Sequence, residues 1–416
     1  MEKITTAIIG GGAAGLFLSS MLCLDGEKTI LFERGERVGR KLSATGNGQG
    51  NVTNVNAGKE KYFSSTAFGA RRGEELIARY GAETLFSHLE SLGLLLITDE
   101  RGRVYPAGRQ ASAITDALRF STAGTGVEIR TGEKVVGLEK QKNGFSLRAE
   151  TAEGVKTYLA RQVVLCTGGK AAKNFGSDGA GYALAKTLGH TVTPLFPSLV
   201  QLKTDVTKTK TLKGIRVADA GVTAVWRERG KEQRLRLTGD VLFTEYGISG
   251  DAIFRISAFV ADKISDGVEI FVDFLPQFTQ EKVLEVLSRK RATFPNTPFG
   301  ELLCGIVNNQ VGRAVMKCVA LEDLQSAARL VKAFPIRPTG TLGFDYAQVT
   351  KGGVPLEEVD ENLQSKLCEG LYFAGEILDI DGQCGGFNLQ WAYASACAVA
   401  AAIADKKTKT RGQVCV

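Results

Sequence analysis

Histidine is nearly absent: the 416 residues hold two, His88 and His190. A histidine-built metal site or a Ser-His-Asp nucleophile system is not expected from so little imidazole, because each relies on it as ligand or base. Proline is scarce as well, at nine residues, beside three methionines and two tryptophans. Cysteines stand at 23, 166, 304, 318, 368, 384, 397 and 415, and no two form a CxxC pair. That spacing excludes the redox-active dithiol of a disulfide reductase and the paired ligands of a zinc site, and it fits reduced thiols. No run reaches the roughly 18 consecutive apolar residues of a membrane helix, and Trp391 to Ile403, the nearest, reads as a buried helix. The apolar N-terminal stretch is broken by Gly10, Gly11 and Gly12 and preceded by Glu2, which suits a strand and a turn better than a signal peptide. A cytoplasmic chain without a membrane partner is expected.

What is abundant is glycine: 49 residues, about 12% against an average near 7%. With so few prolines, this points to tight turns and close backbone approaches rather than a low-complexity linker. The hydrophobic fraction of 44% and charged fraction of 23% are ordinary for a globular chain. The length suggests about two to three domains. A net charge of +7 mildly favours anionic ligands. The sharpest basic run, Lys203 to Arg216, reads as a solvated loop or hairpin and has no interleaved aromatics, so a small molecule is expected as partner rather than nucleic acid.

Residues 4–10 (ITTAIIG) read as a strand buried on both faces. A glycine turn follows, then a helix over 14–24 and a second strand over 29–33 (TILFE), one βαβ unit. Helix is expected over 70–97 with a break near Gly81, and over 109–121. Hairpin-like runs are expected at 133–140 and 144–149, and a buried strand at 161–166. From about 195 the texture alternates like antiparallel strands. Helical patterns follow at 249–265, 279–292, 300–316 and 321–332. A strand over 370–374 and a helix over 388–403 close the chain. The expected fold is α/β: a Rossmann-like domain built from 1–194 and 341–416, with 195–340 inserted. The insertion is expected to be β-barrel-like over 195–248 and 333–340, and helical over 249–332.

Gly10, Gly12 and Gly15 match GxGxxG between a strand and a helix. Gly10 permits the turn, Gly12 leaves room for a pyrophosphate, and Gly15 allows close helix–sheet packing. The first-turn amides and the helix dipole would then meet the phosphates. Glu33, at the end of the next strand, is placed to accept ribose hydroxyl hydrogen bonds, and an acid there argues against a 2′-phosphate. The segment after it, Arg34 to Asn54, is rich in glycine, asparagine and small residues, as a long cofactor lying across the domain requires. Near the C-terminus, Phe373-Ala374-Gly375-Glu376 resembles the strand-Gly-acid element that holds a flavin's ribityl chain. Gly385 to Gln390 opens a helix whose dipole could stabilise a reduced flavin.

On these residues the chain resembles the BaiN/aminoacetone-oxidase-like (YhiN-like) family of FAD-dependent oxidoreductases. The resemblance rests on GGGAAGL at 10–16, GRKLSATGNG at 39–48, Asn51 and Asn54, the turn at 166–169, and GSDGAGYALAKTLGH at 176–190. It extends through LFTEYGISG at 242–250, VTKGGV at 349–354 and LYFAGEILDIDGQCGGFNLQWA at 371–392. It implies non-covalent FAD. It places phosphate contacts on Gly12, Ala13 and Ala14, the adenosine ribose on Glu33, and adenine near Val135. Flavin-side contacts fall near Lys41, Ser43, Asn51, Gly375, Glu376, Asn388 and Leu389. Arg34, Gly168 and Gly386 complete the expected cofactor set. The chain departs from many relatives at Gln49-Gly50, Glu245 and Cys384, which bears on substrate chemistry more than on FAD.

A two-electron (hydride-transferring) flavin oxidoreductase of a small organic substrate is the expected function. A reductase drawing on NAD(P)H, for instance one acting on an enone, is favoured, with the nicotinamide binding transiently because no second GxGxxG follows a strand. An amine or aminoketone oxidase producing peroxide, an RNA-associated flavoprotein and a flavin-binding scaffold without turnover are the alternatives. Cys384, the substrate-side candidates Thr244, Tyr246 and Ser249, and the pair Arg40 and Lys41 also have bland readings as ordinary turn or surface residues. No catalytic residue and no metal ligand is assigned.

Overall fold

The computed structural model describes residues 1–22, 26–58, 60–228 and 230–412, with side chains in the last helix to Asp405. Cys23, Cys415 and the expected helix end at Leu24 lie outside the described residues. The chain divides into two compact units, Met1–Phe196 with Val349–Val416, and Pro197–Gln348. Residues 341–348, assigned from sequence to the outer domain, belong to the inserted unit.

In the first unit β1 (Glu2–Ile9) runs parallel to β2 (Thr29–Glu33) on one side and to Gly154–Leu165 on the other. Glu128–Thr131 continues the sheet in parallel beyond β2, and Leu371–Phe373 joins parallel to Gly154–Leu165. The near-continuous apolar runs of its inner strands are what a parallel sheet covered on both faces requires, while the edge strand Glu128–Thr131 is mostly polar and at least partly exposed throughout. Ala7, Ile8, Ile30, Leu31, Val163 and Val164 are all fully buried. An antiparallel hairpin, Lys134–Gln141 and Gly144–Thr151, leads into Gly154–Leu165, a strand twice the length expected. The helix α1 (Ala13–Met21) buries Leu16, Phe17 and Leu18 completely, each worth about 2 kcal/mol of transfer free energy. It packs against Ala111–Thr125 and the C-terminal helix Phe387–Gly412. That last helix holds the one candidate span among the described residues long and apolar enough to cross a membrane, Phe387–Asp405, and 72% of that window is buried inside the fold.

The expected long helix over 70–97 is two helices, Ala67–Arg79 and Ala82–Ser91, followed by the strand Leu96–Thr98. Gly81 caps the second helix, as its position suggests. Past Gly93 the run LLLIT carries no helical periodicity and pairs with Arg103–Pro106 instead.

The second unit is built on a seven-stranded antiparallel sheet. Its order is Phe334–Ile336, Glu269–Asp273, Arg216–Glu228, Lys231–Phe243, Gly247–Ser249, Leu202–Thr204 and Pro338–Thr341. The two edge strands are separated in sequence by Arg337 alone, so the sheet curls back toward itself, as a barrel-like piece does. Helices Asp251–Val260, Gln280–Thr293, Asn309–Met316 and Leu324–Lys332 accompany it. The stretch 249–332 is therefore not wholly helical. Glu269–Asp273 (EIFVD) alternates, with Ile270 and Val272 buried, and pairs on both edges. The helix expected over 300–316 starts only at Asn309, because the Asn308 side chain accepts from the N–H groups of Gln310 and Val311 and caps it there.

Candidate functional site

The three glycines of the first turn divide by what surrounds them. Gly10 adopts φ +109°, and a Cβ there would come within 2.5 Å of the Cys166 carbonyl oxygen. A Cβ on Gly15 would overlap the Gly10 carbonyl. The fold itself demands both. Gly12 has an ordinary φ of −80°, and a Cβ on it would meet nothing within 4 Å. Its bareness serves the space outside the protein. Gly12 is also the N-cap of α1, and no side chain caps that helix. The first-turn amides, Ala13 and Ala14 among them, thus have no side-chain partner and could hold an anion.

Glu33 lies beside this end. Its Oε2 accepts from Gly11 N–H at 3.0 Å and its Oε1 from Gly35 N–H at 2.7 Å. A carboxylate oxygen has further acceptor capacity, so both remain able to receive ribose hydroxyls. The N–H of Glu133 donates to the Glu33 carbonyl, which brings the buried Val135 to the same edge. Arg34 is held at 2.5 Å by Asp178.

The C-terminal element meets α1 directly. A Cβ on Gly375 would stand 2.8 Å from the Cβ of Ala14. Gly375 is locked by its N–H to Ser395 Oγ (2.8 Å) and by Trp391 Nε1–H to its carbonyl (3.1 Å). Trp391 and Ser395 are one helical turn apart, a spacing readable in the sequence but not singled out. Glu376 Oε2 pairs with Lys41 Nζ at 2.8 Å, and its Oε1 accepts from Thr350 N–H. Gly168, at φ +69°, faces the same carboxylate. Arg40 donates instead to the Asn174 carbonyl.

A second group gathers at the start of the C-terminal helix. The Asn51 amide, with Nδ2 toward Thr53 O and Oδ1 toward Gly386 N–H, bridges the two at 3.0 and 3.2 Å. Gly386 adopts φ +98°, and a Cβ there would collide with Thr53 O. Asn388 spends its side chain on both backbone groups of Gly382, so its part in any ligand contact falls to its backbone. Leu389 is half-buried. Ser43 is tied to Thr115 at 2.9 Å.

Sequence reading missed Asp379. It is fully buried, and its carboxylate accepts from Ser65 N–H, Ser65 Oγ and Ser64 Oγ. Burial pushes its carboxyl above the usual range, with the serine hydrogen bonds opposing. It ties the 64–65 segment to the loop after Glu376, across some 315 positions that no local pattern links. Also missed were Tyr105, Arg103 and Arg109, whose guanidinium carbons stand 5.9 and 4.7 Å from the Tyr105 ring centre. Cys384 is partly exposed and near enough to Tyr105 to act on it electrostatically. Thr244 and Tyr246 belong to a tight turn of the inserted unit, closed by Thr244 N–H to Gly247 O, and Ser249 ends the short strand after it. Among the described residues no group of three or more His, Cys, Asp or Glu could hold a metal.

A scan of protein families matches residues 4–402 to the HI0933-like protein Rossmann domain. The 3-dehydro-bile acid delta(4,6)-reductase of Clostridium scindens is 35% identical, over 96% of this chain and 98% of that protein. The ribosomal RNA dihydrouridine synthase of Escherichia coli is 28% identical over 96% and 98%, and that of Haemophilus influenzae 29% over 95% and 97%. Among solved structures, the 3-ketosteroid delta1-dehydrogenase of Sterolibacterium denitrificans aligns with a TM-score of 0.52 and 12% identity over 98% of this chain and 100% of that one. The 3-ketosteroid-delta4-(5alpha)-dehydrogenase of Rhodococcus jostii aligns at 0.50 and 16%, over 96% and 97%. At those identities the likeness is one of fold. The family match spans nearly the whole sequence: the chain belongs to the HI0933-like Rossmann-domain family.

Proposed function

We propose that this chain is an FAD-dependent reductase of a carbon–carbon double bond conjugated to a carbonyl group, on a small organic molecule. The cofactor fits the residues present. Uncapped amides at Gly12 to Ala14 suit a pyrophosphate, Glu33 suits a ribose, and Gly12 carries no side chain where a Cβ would meet open space. When bound, FAD supplies the two-electron chemistry. The chain's own residues would then bind and orient: Lys41 and Glu376, paired at 2.8 Å, are proposed for the ribityl side, and the start of the helix Phe387–Gly412, beside Asn51, for the flavin ring.

The observation that carries the substrate class is 35% identity, end to end, to an enzyme named as a delta(4,6)-reductase. Uridine reduced to dihydrouridine also loses a double bond conjugated to a carbonyl, so one chemistry would account for both kinds of relative. NAD(P)H is the proposed reductant.

A uridine in RNA is the second reading, favoured by the two dihydrouridine synthases and by the exposed Lys203, Lys208, Lys210, Lys213 and Arg216. Part of that charge is neutralised, since Lys213 pairs with Glu245 and Arg216 with Asp240. The small-molecule reading is therefore preferred.

The test is an anaerobic absorbance experiment. The flavin bands are expected to bleach with NADH or NADPH and to return on adding 2-cyclohexenone or a 4-en-3-one steroid. Bands unmoved by either nucleotide, with peroxide formed from aminoacetone in air, would replace the reductase by an oxidase. Salt-sensitive retardation of a ribosomal RNA fragment, with reoxidation by that RNA alone, would establish the second reading.

A further inference from the structure

We propose that Tyr105 is the proton donor of this reduction, and that Arg103 and Arg109 stabilise the phenolate it leaves. The assignment rests on the reductase reading above.

The fold carries Tyr105 to the right place. Side chains two apart on a strand share a face, so Arg103 and Tyr105 project together from Arg103–Pro106. Asn54, paired directly opposite Arg103, donates from Nδ2 to the Gly385 carbonyl at 3.2 Å. A Cβ on Gly385 would stand 3.8 Å from Arg103 Cγ. This face therefore packs on the Cys384–Gly386 turn that opens the C-terminal helix. On the other side the chain turns back through Arg109, whose N–H donates to the Pro106 carbonyl. Arg109 holds φ +46°, a left-handed conformation that costs a non-glycine residue about 1 kcal/mol. Its Nη1 donates to Gln49 Oε1 at 3.0 Å. The two arginines on the Tyr105 ring thus reach the 39–51 loop, through Arg109, and the 384–386 turn, through Arg103, the two segments to which the flavin side is assigned.

The chemistry of the group fits a donor. The residue is 5% exposed, yet its hydroxyl makes no hydrogen bond among the described residues and is not sealed from solvent. A phenol held this way has its proton available to a ligand rather than to the protein. Burial raises the cost of losing that proton. Arg103 lowers the cost, Asp99 raises it, Arg109 lowers it and Cys384 raises it.

The balance is complete. The β-carbon of the double bond receives two electrons and one hydrogen, drawn through the cofactor from NAD(P)H. The α-carbon receives the second hydrogen as a proton: the Tyr105 Oη–H bond breaks and a C–H bond forms. The phenolate, with Arg109 over its ring at 4.7 Å and Arg103, itself paired with Asp99, at 5.9 Å, is reprotonated from water.

Holoenzyme reduced with NADPH is mixed anaerobically with 2-cyclohexenone. Tyr105→Phe is expected to keep its FAD and its melting temperature and to slow reoxidation about 100-fold or more, the usual worth of a general acid. Arg109→Gln is expected to slow it about tenfold. A second readout needs no turnover. In the ultraviolet difference between wild type and Tyr105→Phe, the phenol titrates, and Arg109→Gln is expected to move that titration upward by about one pH unit. Wild-type reoxidation of Tyr105→Phe, or a titration indifferent to Arg109→Gln, overturns the assignment. So does loss of reoxidation in Cys384→Ser with Tyr105→Phe unaffected. If wild-type enzyme itself is not reoxidised by any enone, the reductase reading falls and the donor with it.

Discussion

Lys41 Nζ and Glu376 Oε2 lie 2.8 Å apart, though 335 positions separate them in the chain. Both side chains are about three-quarters buried, at 25% and 20% exposure. Glu376 is further fixed by the Thr350 amide. The pair closes the loop after β2 onto the C-terminal element, the two segments of the proposed FAD site. Lys41→Met leaves a partly buried carboxylate beside the ligand without its cation. FAD affinity is expected to fall about tenfold, or about 1.4 kcal/mol, read by flavin fluorescence titration. An unchanged dissociation constant would mean the pair serves the fold alone.

Gly12 and Gly15 should respond in opposite ways to the same added methyl group. Gly12→Ala has room for its Cβ and an ordinary backbone, so stability is expected to change by less than about 1 kcal/mol, while FAD affinity falls at least about tenfold. Gly15→Ala drives a methyl into the Gly10 carbonyl and is expected to cost about 2–4 kcal/mol. Urea midpoints and FAD titrations on the two variants separate the effects. Equal loss of stability in both would remove the reason given for Gly12.

Local signals were the readable ones. The βαβ unit, the glycine turn and Glu33 follow from strand runs, glycine placement and an acid at a strand end, all within 33 residues. The C-terminal strand and helix were legible for the same reason. The strand Glu269–Asp273 was lost inside a helical stretch because five residues carry too little periodicity to stand against their neighbours. The Asp379 hold on Ser64 and Ser65, and the Tyr105–Arg109 stack across the Pro106 turn, depend on tertiary pairing that no window of sequence contains. Lys41 and Glu376 were each named from sequence, but their pairing was not.

At the opposite end of β1, Glu2 receives both outer nitrogens of Arg130, at 2.7 and 2.8 Å, and pairs with Lys28. Arg130 and then Lys28 hold its carboxyl down to about 2. A depressed carboxyl stabilises the fold above its unfolded value near 4.5, and that contribution is lost as pH falls from there toward 2. With solvent screening this partly exposed pair is worth about 1 kcal/mol. Glu2→Gln is therefore expected to lower the urea midpoint at pH 7, and the gap from wild type should close as pH is lowered through 4 toward 2. A gap that stays constant would exclude the ion pair as its source.

His190 limits stability toward acid as well, at a higher pH. Its side chain is fully buried, with Nδ1 at 2.7 Å from Glu358 Oε2 and Nε2 at 2.7 Å from Ser365 Oγ. The Ser365 oxygen already accepts from the amides of Leu367 and Cys368, so its own proton points to Nε2. The ring is then the neutral tautomer with its proton on Nδ1, donated to Glu358. Burial lowers its affinity for a second proton, with Glu358 opposing. Burial lowers that of His88 too. For a group whose folded value is depressed, stability is full above the unfolded value near 6.5 and is lost as pH falls below it, because only the unfolded chain takes up the proton. Each histidine can contribute a slope of up to about 1.4 kcal/mol per pH unit. The urea midpoint is expected to drop between pH 7.5 and 5.5, and His190→Gln, though less stable at pH 7.5, should show a shallower drop. Curves of equal slope in the two proteins would mean that His190 binds its proton equally well folded and unfolded, and that the buried neutral ring is not what holds residues 358–368 in place.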